Sequence, residues 1–384
     1  MMEHTQSSPA NTDPMIGEVI AGRYRIESLI GKGGMGRIYK ARQDVLNRDV
    51  AIKFLIPAGG ASDDAAAMER LRKRFDREAR MISRIQHPNA VTLHDYGTTD
   101  HGEPYLIMEL LRGEDLEQVF KRETGGMAPE LVAYISCQAL MALAESHRQG
   151  IIHRDIKPSN IFLEDRGGPV PWVKVLDFGA GKFSGSVAGN TGVTQAGELI
   201  GTWHYMAPEQ AMGEAVDTRM DIYAMGSLMY EMLTGELPFD DSNMQSFLMD
   251  KMMNPPRPIP PELGVPEGLR AILFKALEKN PDDRYQTADA MVEALLPFAP
   301  DMVGTGAHRM VDSSSSGVHA PGAVSSSVTP APEPPAPAPT PQPSQTSASA
   351  GPFGLPRPLV LMLGLLVLII LIALGGALVL LTGS

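Results

Sequence analysis

Three groups of residues in this 384-residue chain have types and spacings suited to handling charge. The first is Gly31-Lys32-Gly33-Gly34-Met35-Gly36, which sits between a strand pattern (Tyr24, Ile26) and a second strand pattern, Arg37-Ile38-Tyr39-Lys40. A hairpin of this kind presents bare backbone N–H groups that can close over phosphate oxygens, and the same residues also fit a plain tight turn. A dinucleotide fold would instead open a helix at its glycines. The second group is Val50-Ala51-Ile52-Lys53, where strand alternation puts Lys53 on the face opposite Val50 and Ile52. The third is His153-Arg154-Asp155-Ile156-Lys157-Pro158-Ser159-Asn160, followed by an apolar strand pattern and then Asp177-Phe178-Gly179.

Positioning these groups requires a sheet in the first part of the chain and helices in the rest. In the stretch MERLRKRFDREARMISRI, Leu71, Phe75, Ile82 and Ile85 form an inward helical stripe that also carries Glu78. A buried carboxylate wants a cation, and Lys53 is the economical candidate. Helical patterns dominate later, in ELVAYISCQALMALAESH and TRMDIYAMGSLMYEML, so the expected architecture is α+β, a small β-rich lobe followed by a larger α-helical lobe. Cys137 falls in an apolar-periodic helix and reads as a core thiol, and a single cysteine excludes an internal disulfide framework. The nine histidines show no ligand spacing, and His153 reads as structural in its loop. Arg70, Arg72, Lys73 and Arg74 read as a solvated helix face.

Composition marks the boundaries. With 45 acidic against 33 basic residues and a net charge of −12, no nucleic-acid partner is expected. Residues 1–21 read as a disordered tail without a secretory signal, and 22–299 as one continuous globular domain, divided near 111 into the two lobes. Residues 300–357 are rich in Ser, Pro and Ala, too poor in apolar surface to offset their ordering entropy, and read as a disordered linker. Residues 358–382 contain an uncharged apolar run long enough to cross a bilayer as one helix. The expectation is a single-pass, C-terminally tail-anchored membrane protein with its globular domain on the cytoplasmic side, and a homodimer through that helix as an open alternative.

The third group, together with Met206-Ala207-Pro208-Glu209, Asp221-Ile222-Tyr223-Ala224-Met225-Gly226 and Arg284, resembles the protein-kinase superfamily, in the order that family requires over about 275 residues. In its spelling it is similar to the eukaryotic-like bacterial serine/threonine kinases that carry a membrane helix. The roles that follow are implications of that resemblance. The fold would be bilobal. Asp155 would orient the acceptor hydroxyl and take its proton, Lys157 would neutralise charge on the transferred phosphate, and Asn160 and Asp177 would ligate Mg²⁺, with Mn²⁺ as an alternative. Lys53, paired with Glu78, would hold the α and β phosphates of ATP. Ile30, Gly31, Lys32, Gly33, Gly34, Met35, Gly36, Arg37 and Ile38 would cover the nucleotide. Ala51, Phe162 and Leu176 would wall the adenine beside Ile30 and Ile38, with Met108 as gatekeeper and the backbone of Glu109 and Leu111 bonding the ring; Phe162 is bulkier than the expected Leu or Met. Lys157 and Thr202 point to serine or threonine of proteins as the acceptor.

The resemblance also implies regulation. Arg154 beside Asp155 is the pattern linked to activation by phosphorylation, which places autophosphorylation in the segment 177–209, at Thr194 first, then Thr191, with Ser184 and Ser186 also present. Glu209 and Arg284 would form a structural ion pair in the large lobe. The alternative is a pseudokinase or membrane-anchored signalling scaffold of the same fold without phosphoryl transfer.

Overall fold

The computed structural model describes residues 13–33, 36–55, 65–123, 125–178, 202–241 and 243–299. Gly34, Met35, Ser184, Ser186, Thr191, Thr194, the linker and the apolar run at 358–382 lie outside them. Among the described residues no helix is long and apolar enough to cross a membrane.

The small lobe is an antiparallel sheet in the order β1-β2-β3-β4-β6-β5, formed by β1 (Val19–Ile20), β2 (Tyr24–Gly33), β3 (Gly36–Gln43), β4 (Arg48–Leu55), β5 (Leu93–Thr98) and β6 (Pro104–Glu109). Alternation along β4 works as expected, but both faces are covered. Val50, Ile52 and Phe54 join Tyr24, Ile26, Tyr39 and Ile107 in one apolar cluster. Leu55 joins Leu106 against Phe75 and Ala79 of α1 (Ala65–Ile82) on the other. Lys53 belongs to this second face by the pleat.

One boundary differs from the expectation. Residues 13–21, assigned to the tail, are part of the small lobe: Val19 pairs with Arg25 and Ile20 with Tyr24. Met15 and Ile20 pack against the first cluster, and Asp13 accepts a 2.9 Å hydrogen bond from the Tyr39 hydroxyl. A two-residue strand has no periodicity to read, and it forms because β2 offers an unpaired edge and an apolar surface to cover.

The large lobe is built on α3 (Pro129–Arg148) and α5 (Arg219–Thr234), both buried over most of their length, as their nearly unbroken apolar sequences require. Proline opens α3 at its first turn, and Gly235, at φ 74°, closes α5 in the left-handed conformation. Around them lie α2 (Leu116–Arg122), α4 (Pro208–Ala211), α6 (Met244–Met253), α7 (Glu267–Ala276) and α8 (Ala288–Leu295). A second sheet, β7 (Gly113–Asp115), β8 (Ile161–Glu164) and β9 (Trp172–Val175), is antiparallel throughout and flanks the segment 153–160. Cys137 is fully buried in the large core, its thiol pushed up to about 12 by burial.

Candidate active site

The segment between α3 and β8 is held from below by one carboxylate. Asp221, 1% exposed at the start of α5, accepts hydrogen bonds from the backbone N–H groups of His153 and Arg154, both at 2.9 Å, and contacts His147 Nε2 at 2.8 Å. Burial works against its charge, but the His147 bond, the His147 and His153 rings and the Arg154 amide hold its carboxyl below the ordinary range. This grip fixes Arg154 in the left-handed region, at φ 69°, and so turns the chain that delivers Asp155.

Asp155 is 5% exposed. Its Oδ2 lies 2.9 Å from Lys157 Nζ and accepts from Asn160 Nδ2 at 3.1 Å, while the same Nδ2 donates to the Asp155 carbonyl at 2.6 Å. Its Oδ1 is buried and has no hydrogen-bond partner among the described residues. A buried carboxylate oxygen left open while its twin is pinned is costly, and it is aimed acceptor capacity. Because the Asn160 nitrogen is committed to Asp155, its Oδ1 is the atom left to offer a cation.

The next strand positions the second acidic group. Leu176 donates from its N–H to the Asn160 carbonyl at 2.9 Å, and its own carbonyl meets His153 Nε2 at 2.7 Å. The His153 ring packs edge-on to Phe178, 4.9 Å between centroids, so the structural reading of His153 holds. Asp177 follows in the left-handed region, at φ 54°, and its carboxylate meets the Lys53 ammonium. Burial raises the Asp177 carboxyl; the charge and hydrogen bond of Lys53, with His153 and Lys157 adding to them, outweigh this and leave it below the ordinary value.

That contact corrects one expectation. Among the described residues the carboxylate in ion-pair contact with Lys53 is Asp177 and not Glu78, which is itself buried on α1. Helical periodicity reports that Glu78 faces inward; it carries no information about which carboxylate the chain turn at 177 brings to the lysine.

Strand register brings the other expected residues to one face. Ile38, Lys53 and Leu106 are cross-strand partners, as are Lys40, Ala51 and Met108, and directly opposed residues share a face. Glu109 donates from its N–H to the Thr92 carbonyl at 3.1 Å. Its side chain accepts from Thr92 N at 2.8 Å and from Lys174 Nζ at 2.6 Å. Lys174, buried on β9, therefore ties the expected hinge to the strand that leads into Asp177. Leu111, Phe162 and Leu176 are partly buried, and Ile30 is exposed on β2.

The glycines of the hairpin divide into two kinds. Gly36 has φ 145°, and a Cβ there would stand 1.9 Å from the Phe54 carbonyl oxygen, so the fold itself requires glycine. Gly31 and Gly33 have ordinary backbone, and a Cβ on either would meet nothing within 4 Å. Nothing among the described residues demands glycine at these two positions; a ligand approaching the backbone closely would. Lys32 and Arg37 pair across the same ladder. Thr202 begins a 3-10 turn, Thr202–His204.

These residues fit a nucleotide triphosphate with a hard divalent cation. A hard divalent cation of the Mg²⁺ kind takes one or two protein oxygens and completes its shell with phosphate and water. Asn160 Oδ1 and the Asp177 carboxylate are of that type. Farther off, Arg284 and Glu209 form the expected ion pair, bidentate at 2.8 Å through both guanidinium nitrogens and almost wholly buried.

Several positions carry weight that the sequence reading did not assign: His147, Lys174, Glu231 and Lys251. The two lysines had a signal, since each stands among apolar neighbours, in WVKVL and in FLMDKMM. A cation in such a run is either a surface exception on a buried strand or helix, or a buried donor.

The protein kinase domain family matches residues 24–296, and the chain belongs to that family. It is 36% identical over 323 residues to the serine/threonine-protein kinase pkn3 of Myxococcus xanthus, covering 83% of this chain and 58% of that one. It is 38% identical over 278 residues to the serine/threonine-protein kinase PknB of Mycobacterium leprae, covering 71% and 42%. The chain thus spans about half the length of these relatives. Among solved structures, the kinase domain of Mycobacterium tuberculosis PknI superposes with a TM-score of 0.54 at 26% identity, over 74% of this chain and 99% of that one.

Proposed function

We propose that this chain is an ATP-dependent serine/threonine protein kinase, held at a membrane by residues 358–382 with its kinase domain on the cytoplasmic side. The observation that carries the reading is Asp155: one carboxylate oxygen fixed by Lys157 and Asn160, the other buried and without a hydrogen-bond partner among the described residues.

In this reading the backbone at Gly31 and Gly33 covers the triphosphate, and Lys53 bonds the α and β phosphates. Asn160 Oδ1 and Asp177 hold the divalent cation, Mg²⁺ or alternatively Mn²⁺. The bound ion supplies neutralisation of phosphate charge. Asp155 Oδ1 accepts the proton of a Ser or Thr hydroxyl. The hydroxyl oxygen then bonds to the γ-phosphorus as the bond to the β-phosphate oxygen breaks, releasing ADP. Lys157, beside Asp155, offsets charge on the transferred group. Regulation follows from Arg154, whose Nε is buried and lacks a partner among the described residues; a phosphate on Thr194 or Thr191 would satisfy it. The linker at 300–357 serves as the spacer to the membrane.

The test is the full chain in detergent with ATP and Mg²⁺, beside Asp155→Asn, read by intact mass and phosphopeptide mapping. Phosphate on Ser or Thr of the wild type and of a basic acceptor protein, falling about 10²- to 10⁴-fold in the variant, is the expected result. Equal incorporation in both, or none in either, defeats the kinase reading. Active enzyme bearing no phosphate on Thr191 or Thr194 defeats the regulatory part alone.

A further inference from the structure

Lys251 lies in the middle of α6 and is 0% exposed. Its ammonium contacts no carboxylate among the described residues. Its donors go instead to backbone carbonyls of one short stretch: Trp203 at 3.2 Å, His204 at 2.6 Å and Met206 at 2.7 Å. An ammonium has three N–H groups, and here each has an acceptor. The faces of Phe247 and Tyr223 close around it, with Nζ 4.7 Å and 5.5 Å from the ring centroids. Phe247, one turn before Lys251 on α6, also packs edge-on to the rings of Trp203 and His204, at 4.7 Å and 5.4 Å. From behind, Lys279 Nζ donates to the Lys251 carbonyl at 2.6 Å and anchors the helix.

Stability alone does not explain a lysine here. Burying an ammonium is costly even when its hydrogen bonds are made, and α6 is otherwise rich in methionine, which would fill the same volume without that cost. What the lysine adds is direction, because three carbonyls converging on one nitrogen set the curvature of the chain at 203–206. That curvature reaches the chemistry. Tyr205 and Met206 share the lining of one small cavity with Arg154 and Asp155. Tyr205 is held in turn by the Glu231 carboxylate of α5, to which its hydroxyl donates.

We propose that Lys251 is a positioning residue for the protein acceptor: by gathering the carbonyls of 203, 204 and 206 it shapes the wall beside Asp155 against which the acceptor segment docks. The inference rests on the kinase reading above. It acts on the acceptor and not on the nucleotide, whose expected contacts lie on β2, β3, β4, β6, the hinge, Phe162 of β8 and Leu176.

The experiment compares the full chain with Lys251→Met, which keeps the volume and removes the donors, and Lys251→Arg, which keeps the charge but whose planar fork cannot converge on three carbonyls. Initial rates are taken against myelin basic protein and, separately, against ATP. In Lys251→Met the KM for the protein is expected to rise about tenfold or more while the KM for ATP stays within about twofold. Lys251→Arg should show the same split, and it decides the matter if the Met variant fails to fold. A protein KM unchanged in a folded variant, or equal rises in both KM values, overturns the inference. So does loss of folding in both variants, because the residue then serves stability only. If the wild type itself places no phosphate on Ser or Thr, the kinase reading fails, a result distinct from any of these.

Discussion

Asp155 and the hairpin glycines show how much one atom's surroundings decide. At Asp155 the two carboxylate oxygens, chemically equal in the sequence, differ because Lys157 and Asn160 approach one while the other has no hydrogen-bond partner among the described residues. Gly31 and Gly36 look alike in the motif and differ in the same way. Gly36→Ala puts a methyl group into the Phe54 carbonyl at a φ of 145° and should cost more than about 2 kcal/mol, lowering the thermal midpoint markedly. Gly31→Ala meets no atom of the described residues within 4 Å, so its midpoint should stay near wild type while the KM for ATP rises severalfold. Differential scanning fluorimetry beside ATP titration separates the two, and a Gly31→Ala variant with unchanged KM would remove the phosphate role from that glycine.

Elements transmit these constraints through buried charges. Arg284 joins α4 to the loop before α8: it bonds Glu209 through both terminal nitrogens and donates to the carbonyls of Arg219, Glu278 and Lys279. Arg284→Met leaves the Glu209 carboxylate buried without its cation, at an expected cost of about 3–5 kcal/mol; urea unfolding reads it directly. Glu231 gives α5 a pH dependence. Burial pushes its carboxyl up to about 7 from an ordinary 4.5, against the Tyr205 hydrogen bond. A group that binds its proton more tightly folded than unfolded contributes stability that is complete below pH 4.5 and lost as pH rises towards 7. The midpoint of Glu231→Gln should therefore fall less than that of the wild type across this interval. Parallel slopes would show that Glu231 titrates normally.

At the scale of the whole molecule, the kinase domain and the apolar run at 358–382 make separate demands. In the proposed reading, an uncharged stretch of that length would enter hydrocarbon as a helix, the form that satisfies its backbone groups without water. In cell fractionation the full chain should sediment with membranes, resist release by high salt and come free in detergent, while deletion of 358–382 should return it to the supernatant. A full chain recovered from the supernatant without detergent would end the membrane reading.

Motif order carried the two-lobed fold and the grouping of Lys53, Asp155, Lys157, Asn160 and Asp177, because these residues act through fixed local spacing: strand alternation for Lys53, a single loop for Asp155 to Asn160. Apolar periodicity likewise marked the Cys137 helix, while the Glu209–Arg284 pair came from the resemblance to the family. The ion pair of Lys53 with Asp177, the two hydrogen bonds of Asp221 to the loop at 153–154, and the Lys251 ammonium among the carbonyls of 203–206 join residues separated by 45 or more positions. The edge strand at Val19–Ile20 was too short to leave a pattern, and it depends on the surface β2 presents. Local spacing reports which face a side chain takes. Which partner waits on that face is settled only when distant segments pack, because the cost of burying a charge or a polar group is met by whatever the fold brings within reach.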